Sequence, residues 1–310
     1  MGRPTELVKA LVIGYGSIGK RHARVLTGLG CETAVLSRHS VDYPVAYNEL
    51  GSALSRHGPD YVVIANPTSC HYETLAELAA TGFSARVLVE KPLFDQYREI
   101  PVSSFRSLCV AYNLRFHPVI RCLRDILDGE TVLSVLAYVG QYLPDWRPGS
   151  DYRRSYSASA AKGGGALRDL SHELDYLCWL FGPWRSVTAL GGHLSSLEID
   201  SDDIFVLLMQ TDRCPIVTVQ VSYLDRVARR RIVVNTQEHT IEADLVGGTL
   251  SIDGEIRTIN LEQDQSYREM HRAALCEDFE SLCTVQEGLA TLELIEVAER
   301  ASKKLEWITR

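Results

Sequence analysis

Short apolar runs alternate with helical patterns through the first third of the chain. Leu7–Ile13, Cys31–Leu36, Asp60–Ala65 and Ala85–Val89 read as buried strands, and Leu108–Tyr112 extends the series. Between them lie a tight turn over Gly14–Gly19, a helix over Lys20–Gly28 and a helical period clearest in Thr74–Ala80. Strands that alternate with helices predict a parallel, doubly wound α/β sheet. The pattern changes near Pro118. A strand over 131–142 leads into a polar, aromatic and Gly-rich stretch, then an amphipathic helix over Ala166–Phe181. Strand-like runs follow in series: Ser186–Gly191, Asp203–Gln210, Ile216–Leu224, Arg231–Thr236, His239–Asp244 and Gly248–Ile252. Helices over Tyr267–Cys283 and Glu287–Lys303 close the chain. Strands in series predict an α+β domain on an open, mainly antiparallel sheet. The reading is therefore a dinucleotide-type α/β domain over 1–118 and an α+β domain over 119–310. Alternating apolar residues in Phe205–Met209 and Val217–Val221 predict a sheet face that needs cover, hence a homo-oligomer, dimer or tetramer.

Composition narrows the class. A net charge of −8, with the one basic run confined to Arg226 and Arg229–Arg231, argues against nucleic acid as partner. No apolar run reaches the length of a membrane span, and Glu6 stands where an N-myristoylation signal wants Ser or Thr. The cysteines form no C-x-x-C pair and no secretory signal is apparent, so reduced thiols in a cytoplasmic protein are expected, with no metal site.

Gly14-Tyr15-Gly16-Ser17-Ile18-Gly19 is a G-x-G-x-x-G placed after the first strand and at the opening of a helix, the context that makes it a dinucleotide signature. Gly14 permits the tight turn, Gly16 leaves room for a pyrophosphate, and Gly19 lets helix and strand pack closely. At the end of the second strand, where an acid would bind a ribose 2′-hydroxyl, the chain has Ser37-Arg38. A hydroxyl and a guanidinium suit a 2′-phosphate, which favours NADP over NAD; Asp42 is the residue that could reverse this choice.

These residues and four further segments resemble the Gfo/Idh/MocA oxidoreductase family. Val12–Gly19 matches its opening, and Ala65-Asn66-Pro67-Thr68 with His71 matches the loop along the nicotinamide side of the cofactor. Glu90-Lys91-Pro92 matches its E-K-P signature. Gly163-Gly164-Gly165 followed by Asp169, His172 and Asp175 matches the helix facing the active site, although the family usually spaces Asp and His by four residues rather than three. Tyr112-Asn113 and Arg115–Pro118 match the junction of the domains. The resemblance implies an NAD(P)-dependent enzyme that transfers hydride between nicotinamide and a secondary hydroxyl or ketone of a sugar-like small molecule. Tyr142–Pro148 and Ser171-His172-Glu173 resemble a branch associated with bacterial surface sugars.

Hydride transfer from a carbinol needs an acid or base at the reacting oxygen and a group that stabilises developing negative charge there. Lys91 lies beyond the carboxyl end of a parallel strand, where ligands of such sheets sit. His172 shares a helical stripe with Asp169, Glu173 and Tyr176, opposite an apolar stripe of Leu167, Leu170, Leu174 and Leu177. One assignment has His172 exchange the proton while Lys91 polarises the oxygen and Asp169 or Asp175 orients the site; the reverse fits nearly as well. Asn113 and Arg115 are placed for substrate at the expected cleft between domains. Trp146, Tyr152 and Arg153 supply aromatic faces and donors for a polyhydroxylated or anionic ligand. Two other classes compete with a dehydrogenase: an isomerase or lyase that uses the nicotinamide transiently, and a cofactor-binding regulator without turnover.

Overall fold

The computed structural model describes residues 7–100 and 105–310. The N-terminal residues on which the myristoylation reading rests lie outside this range. The chain opens with β1 (Lys9–Ile13), α1 (Ser17–Gly28), β2 (Glu32–Leu36), β3 (Ala46–Tyr47), α2 (Leu50–His57), β4 (Tyr61–Ile64), α3 (His71–Ala80), β5 (Arg86–Val89) and β6 (Ser107–Val110). Then come α4 (Pro118–Ile126), β7 (Val132–Gly140), α5 (Ala166–Asp169), α6 (His172–Phe181), β8 (Trp184–Gly192), β9 (Ile204–Thr211) and β10 (Val217–Ser222). β11 (Arg229–Thr236), β12 (Thr240–Asp244), β13 (Thr249–Ile252) and β14 (Glu255–Thr258) follow, and α7 (Gln265–Cys276), β15 (Cys283–Thr284), α8 (Val285–Lys304) and β16 (Ile308–Thr309) close the chain.

Two compact units result. One comprises the chain up to Phe116 together with Gln263–Leu289; the other comprises His117–Glu262 and Ala290–Arg310. The segment 263–289, which the sequence reading assigned to the second domain, thus packs in the first unit. The cause is its buried face: Met270, Ala273 and Ala274 of α7 join one core with Ala10, Val12, Leu26 and Tyr61.

In the first unit the described residues form a seven-stranded sheet in the order β15-β6-β5-β4-β1-β2-β3. All neighbours are parallel except β15, which runs antiparallel to β6. Strand β1 has β2 on one side and β4 on the other, so the order reverses there, and ligands of such sheets bind beyond the strand ends at that point. Helix α7 stops at Cys276 rather than Cys283, because Glu277 takes a left-handed conformation with φ of 59° and Cys283 pairs with Val110 in the sheet.

The second unit carries a nine-stranded sheet, order β14-β13-β12-β11-β7-β10-β9-β8-β16. Only the β7–β10 neighbours run parallel among these described strands. Strand β14 was not legible as a strand, because Glu255–Thr258 are exposed throughout and show no alternation. The two sheet faces also exchange roles relative to expectation. Phe205, Leu207, Met209, Val217, Val219 and Val221 are the buried face, not the one in need of cover. On the opposite face Thr218 lies between Leu136 and Leu208, and Leu136, Leu190 and Leu208 are 49%, 64% and 39% exposed. The predicted helix over Ala166–Phe181 is broken at Leu170-Ser171 into α5 and α6.

Candidate functional site

The candidate site residues fall into two groups, one in each unit. In the first, β1 runs into Gly14, whose φ is 95° and whose N–H donates to the Leu36 carbonyl at 2.9 Å. A Cβ on Gly14 would lie 2.6 Å from the Asn66 nitrogen, and one on Gly19 would lie 2.0 Å from the Gly14 oxygen. Both positions exclude any side chain. Gly16 differs: apart from its chain neighbours, a Cβ there would meet nothing within 4 Å among the described residues. Helix α1 begins at Ser17 with Gly16 as its cap, no side chain caps it, and no acidic residue lies in its first turn. Its positive end and its first N–H groups therefore face open space over Gly16 without neutralisation from a capping or first-turn side chain, which fits a dinucleotide pyrophosphate.

Around this turn the other nucleotide candidates take different parts. Tyr15 is half-buried, with the Tyr43 ring edge-on at 5.4 Å and the Lys20 ammonium 5.5 Å from its centroid. Ile18 is partly buried and packs on the core. The Ser37 hydroxyl oxygen accepts the His39 N–H at 3.2 Å, leaving its own O–H able to donate, and Arg38 is exposed beside it. Asn66 donates to the Thr74 hydroxyl at 2.7 Å. Its Oδ1 is buried and has no hydrogen-bond partner among the described residues, an acceptor that suits the carboxamide of a nicotinamide. Pro67 is exposed and Thr68 half-buried on the same loop.

His71 is 1% exposed and is not placed to touch a ligand. Its Nε2 lies 3.0 Å from the Asn66 carbonyl, and its Nδ1 lies 3.1 Å from those of Pro92 and Leu93. It bolts the loop after β4 to the loop after β5. Burial lowers its pKa, against the pull of those carbonyls and of Glu90. Lys91 is half-buried just past the end of β5, and its backbone N–H donates to Glu90 Oε2 at 3.0 Å. Burial pushes the Glu90 carboxyl up, but the His22 hydrogen bond, the Lys91 charge and the Lys91 amide outweigh it and leave the pKa below its ordinary value.

Two residues expected to meet substrate are interior instead. Asn113 is 5% exposed and donates to the Ser266 hydroxyl at 2.8 Å. Arg115 is 1% exposed and bonds to the Leu282 carbonyl and Glu287, each at 3.1 Å. A buried guanidinium needs partners, and Arg115 finds these in the segment that rejoins the first unit.

In the second unit the glycine run is a packing device. A Cβ on Gly164 would lie 2.1 Å from the Tyr156 carbonyl oxygen, and one on Gly165 would lie 2.1 Å from Asp202 Oδ1. Asp202 caps α5: its carboxylate accepts the Leu167 N–H and its carbonyl the Ala166 N–H, both at 2.9 Å. Asp169, 5% exposed, accepts the Tyr223 O–H at 2.6 Å and a hydrogen bond from Tyr156. Trp146 packs edge-on against Tyr223 at 5.1 Å, and the Arg147 guanidinium lies over the Tyr156 ring at 5.7 Å. Trp146 is thereby gathered with Asp169 into one cluster, whose organising residues Tyr223 and Asp202 had no motif to announce them. Tyr152 and Arg153 belong elsewhere, at the Glu198 loop: the Tyr152 hydroxyl accepts the Glu198 N–H, and Arg153 pairs with Asp151 and Glu198.

The expected open polar stripe does not exist. Glu173 and Tyr176 are fully buried, with Glu173 taking the Tyr176 O–H at 3.1 Å and the Arg230 guanidinium at 2.9 Å. Asp175 is 1% exposed. His172, half-buried as the first residue of α6, is the member of that stripe that retains access. The break before it places Asp169 on a separate short helix.

Residues 8–102 match the Oxidoreductase family, NAD-binding Rossmann fold, and residues 120–242 match the GFO/IDH/MocA C-terminal domain. The chain belongs to the Gfo/Idh/MocA oxidoreductase family. Residues 8–102 thus carry that family's NAD-binding Rossmann fold. An uncharacterized oxidoreductase of Synechocystis, sll0816, is 34% identical over 161 residues, covering 48% of this chain but only 42% of that protein. The rhizopine catabolism protein MocA of Rhizobium meliloti is 28% identical over 225 residues, 65% of this chain and 67% of its own length. Among solved structures, GenD2 from gentamicin A biosynthesis in complex with NAD superposes with a TM-score of 0.81 at 22% identity, covering 100% of this chain and 98% of its own. The WlbA dehydrogenase of Bordetella pertussis, in complex with NADH and UDP-GlcNAcA, gives 0.80 at 18% identity, covering 100% and 99%. These two share the fold. No helix among the described residues is long and apolar enough to cross a membrane.

The cap on α5 has a pH signature. Burial raises the Asp202 carboxyl from 3.8 to about 6, against the pull of the Leu167 N–H. A folded-state pKa above the unfolded value favours folding at low pH, and that contribution is lost as pH rises through about 6. Asp202→Asn removes the titration, so between about pH 4 and pH 7.5 the variant should gain about 2–3 kcal/mol relative to the parent. Urea unfolding at both pH values measures this; an unchanged difference between variant and parent would contradict the assignment.

Proposed function

We propose that the protein is an NADP-preferring dehydrogenase or reductase acting on a secondary hydroxyl or ketone of a sugar or sugar derivative. The observation that carries this reading is Lys91: half-buried past the end of β5, amide pinned to Glu90, on the same sheet edge as the uncapped helix over Gly16. When bound, the nicotinamide supplies the hydride chemistry. The Lys91 ammonium then holds and polarises the reacting oxygen, and His172 is assigned the proton exchange, since an imidazole can do so near neutral pH. Asp175, one turn along α6, and Asp169, already committed to two phenols, orient rather than transfer protons. The sugar-like class is supported by the UDP-GlcNAcA held by WlbA and by the rhizopine pathway in which MocA is named. The NADP preference is supported by the absence of an acid at the end of β2 and the presence of Ser37 and exposed Arg38 there.

The test is turnover of a panel of sugars, keto-sugars and nucleotide sugars, read by the absorbance of reduced nicotinamide with NAD(H) and NADP(H) in parallel. Lys91→Ala and His172→Ala should each lower kcat by about 10²–10⁴-fold with cofactor affinity near the parent value. NADPH should bind more tightly than NADH, and Arg38→Ala should erase most of that difference. Parent-like turnover in His172→Ala removes His172 from the mechanism, and loss of cofactor binding in both variants makes the two residues supports of the nucleotide site. Product formed with no net change in absorbance would replace the dehydrogenase by an isomerase or lyase.

We also propose that a second copy of the chain covers the exposed sheet face of Leu136, Leu190 and Leu208, an apolar surface of the kind that marks association. Light scattering at micromolar concentration should give at least a dimer, and Leu208→Glu should reduce it to monomer. A monodisperse parent monomer would refute the assembly.

A further inference from the structure

Beneath the Glu90-Lys91-Pro92 turn, within the first unit, runs a buried line of hydrogen bonds that the motif does not contain. The Tyr61 hydroxyl lies 3.0 Å from His271 Nδ1, His271 Nε2 lies 2.8 Å from His22 Nδ1, and His22 Nε2 lies 2.8 Å from Glu90 Oε1. Glu90 Oε2 accepts the Lys91 amide N–H at 3.0 Å. Tyr61, His22 and His271 are fully buried, and Glu90 is 6% exposed. They come from β4, α1, α7 and the end of β5, so the line ties together parts of the sequence as distant as residues 22 and 271.

The line has a direction. A carboxylate only accepts, so His22 Nε2 carries a proton. With His22 neutral, its Nδ1 must accept, so His271 Nε2 carries the next proton, His271 Nδ1 accepts, and the Tyr61 O–H donates. One proton then serves each contact, and the only charge is that of Glu90. Burial lowers the His271 pKa well below its ordinary value, which agrees with a neutral ring. The reverse orientation would strip the carboxylate of its imidazole donor. The far end lies in the apolar core with Ala10, Cys31 and Cys109, so it offers no path for protons to water. Its chemistry is that of an anchor.

We propose that Tyr61, His271 and His22 are positioning residues that hold the Glu90 carboxylate in one orientation and, through its bond to the Lys91 amide, fix how Lys91 leaves the turn. This rests on the reading of Lys91 as the residue that works on the substrate oxygen. Helix α7, remote in sequence from every family motif, thereby reaches the lysine through two imidazoles and a carboxylate.

The test compares His271→Gln with His271→Leu in the full chain. Glutamine offers a donor group (NH2) and an acceptor oxygen where neutral imidazole offers an N–H and a bare nitrogen, whereas leucine fills the space with neither. Nitrogen-15 spectra of histidine-labelled protein report the His22 tautomer, and carbon-13 spectra of lysine labelled at Cε report Lys91, assigned by its disappearance in Lys91→Arg. The parent and His271→Gln should show His22 protonated at Nε2 alone and the same Lys91 resonance. His271→Leu should mix the His22 tautomers and shift the Lys91 resonance. Tyr61→Phe, which removes only the terminal O–H, should shift both signals in the same sense by less, and it serves where His271→Leu does not fold. Parent-like Lys91 signals in both His271→Leu and Tyr61→Phe, or equal shifts in His271→Gln and His271→Leu, would overturn the proposal. Lys91→Ala with parent turnover, beside a Lys91 signal that does respond to His271→Leu, would keep the anchor and reject the catalytic reading.

Discussion

The close approach of α1 to the end of β1 is the constraint on which the first unit turns. Helix and strand meet backbone to backbone at Gly14 and Gly19, where a Cβ on Gly19 would sit 2.0 Å from the Gly14 oxygen. That contact aims the uncapped start of α1 over Gly16. It also brings His22, a turn further along the same helix, down onto Glu90. The positive helix end and the anchoring of the Glu90-Lys91 turn are therefore two consequences of one packing arrangement. His71 adds a second tie by joining the Asn66 loop to the carbonyls of Pro92 and Leu93.

Buried or half-buried carboxylates recur in both units, and each is matched to donors. Glu90 has an imidazole and an amide, Asp169 two phenols, Glu173 a guanidinium and a phenol, and Asp202 the Leu167 amide of α5. An unmatched buried charge would be strongly destabilising, so these pairings fix the loops and helix ends around Lys91 and His172 far more firmly than surface ion pairs could. The environments nonetheless differ in outcome: donors win at Glu90 and leave its pKa low, while burial wins at Asp202 and Glu173 and leaves theirs raised.

Local features of the chain were legible where they obey a period or a turn rule. Strands β1, β2, β4, β5 and β6 of the first unit, the G-x-G-x-x-G turn and the series β8 to β13 follow directly from apolar runs and glycine placement. What stayed hidden depends on contacts between distant segments. Nothing in Gln265–Leu289 announces that α7 belongs beside β4. Arg115 and Asn113 look like ligand donors until Leu282, Glu287 and Ser266 fold over them. The stripe of Asp169, His172, Glu173 and Tyr176 assumed one continuous helix, and the break at Leu170-Ser171 sends its acids inward. The sheet alternation was read correctly in period but assigned to the wrong face, because period alone does not say which face the helices cover.

The central claim, that the open space over Gly16 receives a dinucleotide pyrophosphate, is tested most directly with Gly16→Ala. Apart from the adjoining backbone, no atom of the described residues lies within 4 Å of the added Cβ, and the backbone there does not require glycine. Titration of NADPH into the parent and the variant, followed by fluorescence, with a thermal melt of each, separates fold from ligand. The account predicts an unchanged melting temperature and a NADPH affinity lowered by at least about tenfold, a loss of about 1.4 kcal/mol. Equal affinity with an intact fold would contradict it.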